Sequence, residues 1–211
     1  MKIFKTVCNS YLVNSYLLIA SDNKGILIDP ACNDESEFDR LQRIINEQNV
    51  NLVGIIATHT HADHIMGAKF VLNAYPDAIF LMHKEGEPLY KTTNDYSMIM
   101  GFKKREMPNP TGYVTDNEIL HFSDIELQVF YTPGHAPGSI CLYSKSDDVV
   151  FTGDVLFCGD IGRTDLPGGN FEVLRTSIQT KLFTLPENTL VLPGHGDSTT
   201  IEFEKDNNQY L

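Results

Sequence analysis

The sequence predicts an α/β protein with two β-sheets covered by helices. Short runs of β-forming residues recur along the whole chain, and each half runs strands first and then a helix. The length of 211 residues allows one well-filled core, so a single domain over residues 1–211 is expected.

The elements follow in order. Lys2 to Val7 and Tyr11 to Ala20 are rich in β-formers, and Gly25 to Pro30 is a buried strand stopped by proline. From Asp34, the apolar positions Phe38, Leu41, Ile44 and Ile45 recur at helical spacing, with Asn33 or Asp34 placed as the cap. Leu52 to Ala57 is a continuous apolar strand that ends at a histidine cluster. Asp63 to Ala74 returns to helical spacing, which puts the cluster on a strand-to-helix loop. A strand at Ala78 to Met82 leads to a helical region reaching about Tyr96, and Met100 to Asn117 carries loop residues. Four strands are then expected at Glu118 to Phe122, Ile125 to Tyr131, Ser139 to Ser144 and Val149 to Thr152. A helix at about Phe171 to Phe183 and a strand at Thr189 to Leu192 complete the pattern.

Sixteen basic against 28 acidic residues give a net charge of −12, with Lys103-Lys104-Arg105 the densest basic run. Such a surface repels phosphate backbones and makes nucleic acid an unsuitable partner. No segment reaches the roughly 20 apolar residues of a membrane span. Tyr11 to Ala20, broken by Asn14 and Ser15, makes a poor signal peptide, so no membrane association and a cytoplasmic protein are expected. Cys8, Cys32, Cys141 and Cys158 form no C-x-x-C pair and read as reduced structural thiols; Cys158 stands apart, four residues past Asp154. The pattern carries no signal of oligomeric state.

The chemistry is concentrated in Thr58-His59-Thr60-His61-Ala62-Asp63-His64. Imidazole and carboxylate are the ligands of zinc and similar divalent ions, and His59, His61, Asp63 and His64 offer four of them at the end of one strand. His135, Asp154 and His195 each follow a strand run and a glycine, which permits the backbone turns that a ligand-bearing loop needs. Five of the seven histidines therefore sit at strand ends, while His83 and His121 lack that setting and read as structural. Seven ligands overfill one tetrahedral ion but suit two ions bridged by an aspartate.

H-x-H-x-D-H followed by histidine, aspartate and histidine resembles the metallo-β-lactamase superfamily, over about residues 10 to 205. The resemblance implies a four-layer αββα sandwich. It implies one metal held by His59, His61, His135 and Asp154, and a second by Asp63, His64, Asp154 and His195, with Asp154 bridging. Asp29, in Leu27-Ile28-Asp29-Pro30, resembles the family acid that orients a ligand imidazole. Zinc is the expected metal, with iron and manganese also suited to such ligands.

Phe157 to Gly169, and Leu192 to Ile201, resemble the short hydroxyacylglutathione hydrolases, or type II glyoxalases. That similarity implies hydrolysis of a small acyl thioester such as S-D-lactoylglutathione by a hydroxide shared between two metals, with Asp63 as the catalytic carboxylate. Full-length members add a C-terminal helical domain for glutathione, whereas this sequence ends soon after His195. Their lysine and tyrosine for glutathione are replaced here by Arg163 and Asp165. Arg163 is a candidate for gripping substrate, or for pairing with Asp165 or Asp160. Tyr90, Tyr96 and Tyr113 are candidates for a pocket wall within residues 84–115, or for ordinary packing.

The Gly-Arg-Thr-Asp segment is also similar to the persulfide dioxygenases, which use one iron and dioxygen, and that branch is the alternative. The common two-zinc β-lactamases place a cysteine where Asp154 stands. The nuclease branches need a nucleic-acid footprint that the acidic surface does not supply, and the di-iron flavoproteins need a flavin domain that is not seen in the sequence.

Overall fold

The computed structural model describes residues 1–211. Strands β1 (Lys2–Cys8), β2 (Val13–Ile19), β3 (Lys24–Ile28), β4 (Asn51–Ile56), β5 (Ile79–His83) and β6 (Gly112–Val114) form one sheet in that order. The β1–β2–β3 pairs are antiparallel, and β3 through β6 are parallel. The second sheet contains β7 (Ile119–Phe122), β8 (Ile125–Tyr131), β9 (Ile140–Ser144), β10 (Val149–Gly153), β13 (Leu190–Pro193) and β14 (Thr199–Thr200). Its order is β14-β13-β10-β9-β8-β7. A small hairpin, β11 (Leu156–Phe157) with β12 (Asp160–Ile161), leaves the end of β10.

The layers follow from side-chain alternation along the strands. Leu18, Ile26, Ile28 and Ile56 face Leu127, Val129, Leu142 and Phe151 in a core between the sheets. Their neighbours Leu17, Leu27 and Ile55 face the other way, against Phe38, Leu41 and Ile45 of α1 (Glu35–Glu47). On the far side, Phe130, Cys141 and Val150 pack on Leu174 of α6 (Phe171–Ser177) and on Ile201 of α7 (Ile201–Asn207). Helix, sheet, sheet and helix make four layers. Because the central strands are buried on both faces, they read as continuous apolar runs. No helix is long and apolar enough to cross a membrane.

Strand direction sets where chemistry can gather. β3 and β4 run in parallel, so their C-terminal ends share one rim. β8 and β10 both lie antiparallel to β9, and β13 is parallel to β10; these three strands therefore also end together. Backbone bonds join the two rims: Ile140 N–H donates to Thr58 O at 2.8 Å, and Asn14 N–H to Gly194 O at 2.7 Å.

The structure corrects several boundaries. The helix expected over Asp63 to Ala74 is two helices, α2 (Ala62–Ile65) and α3 (Ala68–Ala74). The break lies at Gly67, whose N–H donates to Pro30 O at 2.7 Å; a Cβ there would sit 2.6 Å from that oxygen and 2.8 Å from Cys32 N. The helical region before Tyr96 is α4 (Glu87–Lys91) and α5 (Thr93–Ile99), and the following loop contains β6. Helix α6 ends at Ser177 and continues as a π-helical turn over Ile178–Leu182. The β11–β12 hairpin, β14 and α7 were not anticipated.

Arg105 fastens the loop after α5. Its guanidinium donates to Met66 O at 3.1 Å and to Asn33 O, and stacks over the Phe70 ring at 4.5 Å.

Gly67→Ala is expected to lower stability by about 1–3 kcal/mol, because the backbone oxygen facing the new methyl cannot rotate away. Urea denaturation checks this: the midpoint falls with an unchanged slope.

Candidate metal centre

The four strand ends bring His59, His61, Asp63, His64, His135, Asp154 and His195 to one point. His59 and His61 lie on the loop after β4, with His61 immediately before α2, while Asp63 and His64 belong to the first turn of α2. The cluster is thus part loop and part helix. His135 follows β8, Asp154 follows β10 and His195 follows β13.

The ring nitrogens converge. His61 Nδ1 lies 3.1 Å from His59 Nε2 and 2.9 Å from His135 Nε2. On the other side, His64 Nε2 and His195 Nε2 are 3.2 Å apart. Asp154 stands between the two groups, with Oδ1 3.3 Å from His64 Nε2 and Oδ2 3.4 Å from His195 and 3.7 Å from His135. Asp63 Oδ2 is 3.6 Å from His195 Nε2 and 3.8 Å from His64 Nε2.

These distances are those of ligands around ions. Two nitrogens held tetrahedrally at about 2.0–2.1 Å from zinc are about 3.3 Å apart. Asp154 Oδ1 is buried without a hydrogen-bond partner, an expensive arrangement unless a cation serves it. The donor set of imidazoles and carboxylates fits divalent metal, and three overlapping groups of ligand atoms are close enough to hold ions.

Protonation states divide the centre in two: the carboxylates of Asp154 and Asp63 outweigh burial and hold His64 well above the ordinary imidazole range and His195 up to about 9, so an ion on that side displaces protons, while the other three rings are shifted down. Burial above all holds His59 well below the ordinary imidazole range, pushes His61 down to about 4 and lowers His135, so these rings keep free lone pairs. Burial alone would raise Asp154, but His64 and His195 outweigh it and hold the carboxyl well below its ordinary value.

Outer contacts aim each ring. Asp29 Oδ2 faces His64 Nδ1 at 2.9 Å, and the same carboxylate accepts from Thr58 N–H at 2.7 Å and Thr58 Oγ1 at 2.8 Å. His135 Nδ1 meets Arg163 O, and His195 Nδ1 meets Tyr11 O, both at 2.8 Å. Asn9 Nδ2 donates to Asp63 O at 2.8 Å. A Cβ on Gly194 would fall 2.5 Å from Asp154 Oδ1, so only glycine lets that strand end approach.

The remaining candidates lie elsewhere. His83 accepts from Glu85 N–H and stacks on Tyr131, and His121 is exposed beside Glu126, both away from the centre. Arg163 reaches the cavity wall, but its guanidinium makes two 2.7 Å bonds to Asp165. Of the three tyrosines, Tyr96 lines the cavity; Tyr90 is buried with its hydroxyl on Pro108 O, and Tyr113 lies outside. Cys158 is exposed, Cys141 is buried, and the buried Cys8 and Cys32 sulfurs are 3.5 Å apart. The roles of Asn9, Tyr11 and Ser15, whose hydroxyl donates to Asp29 O, were not read from the sequence, since nothing in their local pattern marks them.

Comparison with known proteins agrees with this geometry. The family model described as "Metallo-beta-lactamase superfamily" matches residues 7–195. The chain is 40% identical to the "Probable metallo-hydrolase YqgX" of Bacillus subtilis, covering 94% of this chain and 92% of that protein. It is 33% identical to "Hydroxyacylglutathione hydrolase GloC" of Haemophilus influenzae, with the same coverage of both. Among solved structures, the BLEG-1 B3 metallo-β-lactamase superposes with TM-score 0.87 at 30% identity, covering 100% of this chain and 99% of that one. TTHA1623 in a di-iron-bound form superposes with TM-score 0.87 at 31% identity, covering 99% and 100%. A rim of histidines and aspartates on a four-layer sandwich, matched by the family model over most of its length, means that this chain belongs to the metallo-β-lactamase superfamily.

Proposed function

We propose that the protein is a metal-dependent hydrolase of a small acyl thioester, similar in chemistry to type II glyoxalases and working with two divalent ions. The observation that carries the reading is the placement of Asp154: a buried carboxylate standing between the two groups of imidazoles, with His64 and His195 at 3.3 and 3.4 Å on one side and His135 at 3.7 Å on the other, and with Oδ1 lacking a hydrogen-bond partner. His59, His61 and His135 would complete one site, and Asp63, His64 and His195 the other. Zinc suits these donors, and the di-iron form of a similar structure makes iron a second candidate.

Two ions held there would bring a shared water towards a pKa of about 7 and take up oxyanion charge. The chain's own part is positional. Asp63, with its carboxyl below the ordinary range because His64 and His195 outweigh burial, is anionic and accepts or directs the proton of the attacking water. Asp29, Arg163 O and Tyr11 O hold His64, His135 and His195 in their orientations. A thiolate leaves readily, so no acid is needed on the leaving-group side. A cavity of about 460 Å³ opens over the centre and gives room for a small-molecule substrate rather than a polymer.

Purified protein is expected to bind two metal ions per chain and to release thiol from S-D-lactoylglutathione or a simpler thioester. No thiol release from any of them overturns the reading, and one iron with persulfide-dependent oxygen uptake establishes the dioxygenase alternative instead. Asp63→Asn should lower kcat by about 10²–10⁴-fold, measured at matched metal content. Asp29→Asn should weaken metal binding by about 10–100-fold in a chelator competition while leaving the circular dichroism unchanged.

A further inference from the structure

The cavity has two unlike ends. Its floor is polar and carries His61, Asp63, His135, Asp154 and His195. Its outer wall is apolar: Leu89, Tyr96, Ile99 and Met100 come from α4, α5 and the residue after them, opposite Leu166 and Pro167. Ile99 is 82% exposed, the highest value among the large exposed hydrophobic side chains of the chain. A side chain of this kind at the mouth of a cavity, rather than in a core, points to a ligand surface.

The wall offers almost nothing to an anion. Arg163 is the only Lys or Arg among the lining residues, and its Nε and Nη2 edge is bonded to Asp165, whose carboxylate offsets the guanidinium charge. The chain as a whole carries −12. A tripeptide thiol such as glutathione brings two carboxylates, and the wall meets them with a single cation that already shares its charge with Asp165.

In a thioester held with its carbonyl at the floor, a small acyl group stays near the ligands and the larger thiol portion must run outward along the wall. We infer that this cavity selects thioesters whose thiol portion is apolar and uncharged, with Ile99, Met100, Tyr96 and Leu166 as the surface that holds it. This rests on the thioester reading above and narrows it to a substrate class.

The test keeps the acyl group constant and varies the thiol. Rates on S-D-lactoylglutathione are compared with those on the D-lactoyl thioester of benzyl mercaptan, for the metal-loaded wild type and for Ile99→Asn. Burial of the benzyl group predicts kcat/KM about tenfold or more higher for the benzyl thioester. Ile99→Asn, at an exposed position that burdens no core, should cut that preference at least about threefold, acting mainly through KM on the benzyl substrate. Equal rates, or a preference for the glutathione thioester, overturn the inference while leaving thioester hydrolysis standing. A preference that Ile99→Asn leaves intact overturns the assignment of the wall. Should neither thioester be cleaved, the hydrolase reading fails, and calorimetry with two uncleavable thioethers decides the cavity on its own. Tighter binding of benzyl methyl thioether than of S-methylglutathione supports the apolar wall, and equal or weaker binding overturns it.

Discussion

Asp29 directly follows β3 in a left-handed backbone conformation, φ +52°, with its carboxylate almost wholly buried. A buried charge of this kind is tolerated only when every lone pair has work. Here the carboxylate takes the backbone and hydroxyl of Thr58 and faces His64, while its own carbonyl receives Ser15. One residue thereby joins β2, β3, the loop after β4 and α2. The rim of the first sheet is held in the one shape that lets the His59–His64 segment turn inward, and the rest of the centre is built against it.

The second sheet meets this rim through backbone bonds and through the close approach allowed at Gly194. Each sheet contributes candidate ligands that the other cannot replace: the first brings His59, His61, Asp63 and His64, the second His135, Asp154 and His195. A centre shared in this way couples the two halves of the chain. Loosening of either sheet edge would scatter the ligands, so metal affinity and the packing of the inter-sheet core rise and fall together.

The strands and the ligand cluster were legible in the sequence because each leaves a local mark. Central strands buried on both faces are unbroken apolar runs, and ligands at strand ends recur beside glycine. What could not be read is what tertiary contact decides. The break between α2 and α3 comes from the packing of Gly67 on Pro30, far away in sequence. Strand β6 exists because Leu81 to His83 offers it an edge, and β14 because β13 does. Tyr11 and Ile99 stand 88 positions apart and share a cavity that no periodicity could announce. Arg163 had two readings open, and the geometry pairs it with Asp165.

The clamp made by Arg105 has a consequence for how such a protein can change. The ligand rim is anchored in both sheets, whereas the outer wall is carried by the short helices α4 and α5, whose following loop is pinned by one guanidinium to two carbonyls and an aromatic ring. Substitutions in that cassette can reshape what enters without disturbing what reacts. The machinery and the filter are separable parts, so new specificities can be tried on an old scaffold at little risk to its chemistry.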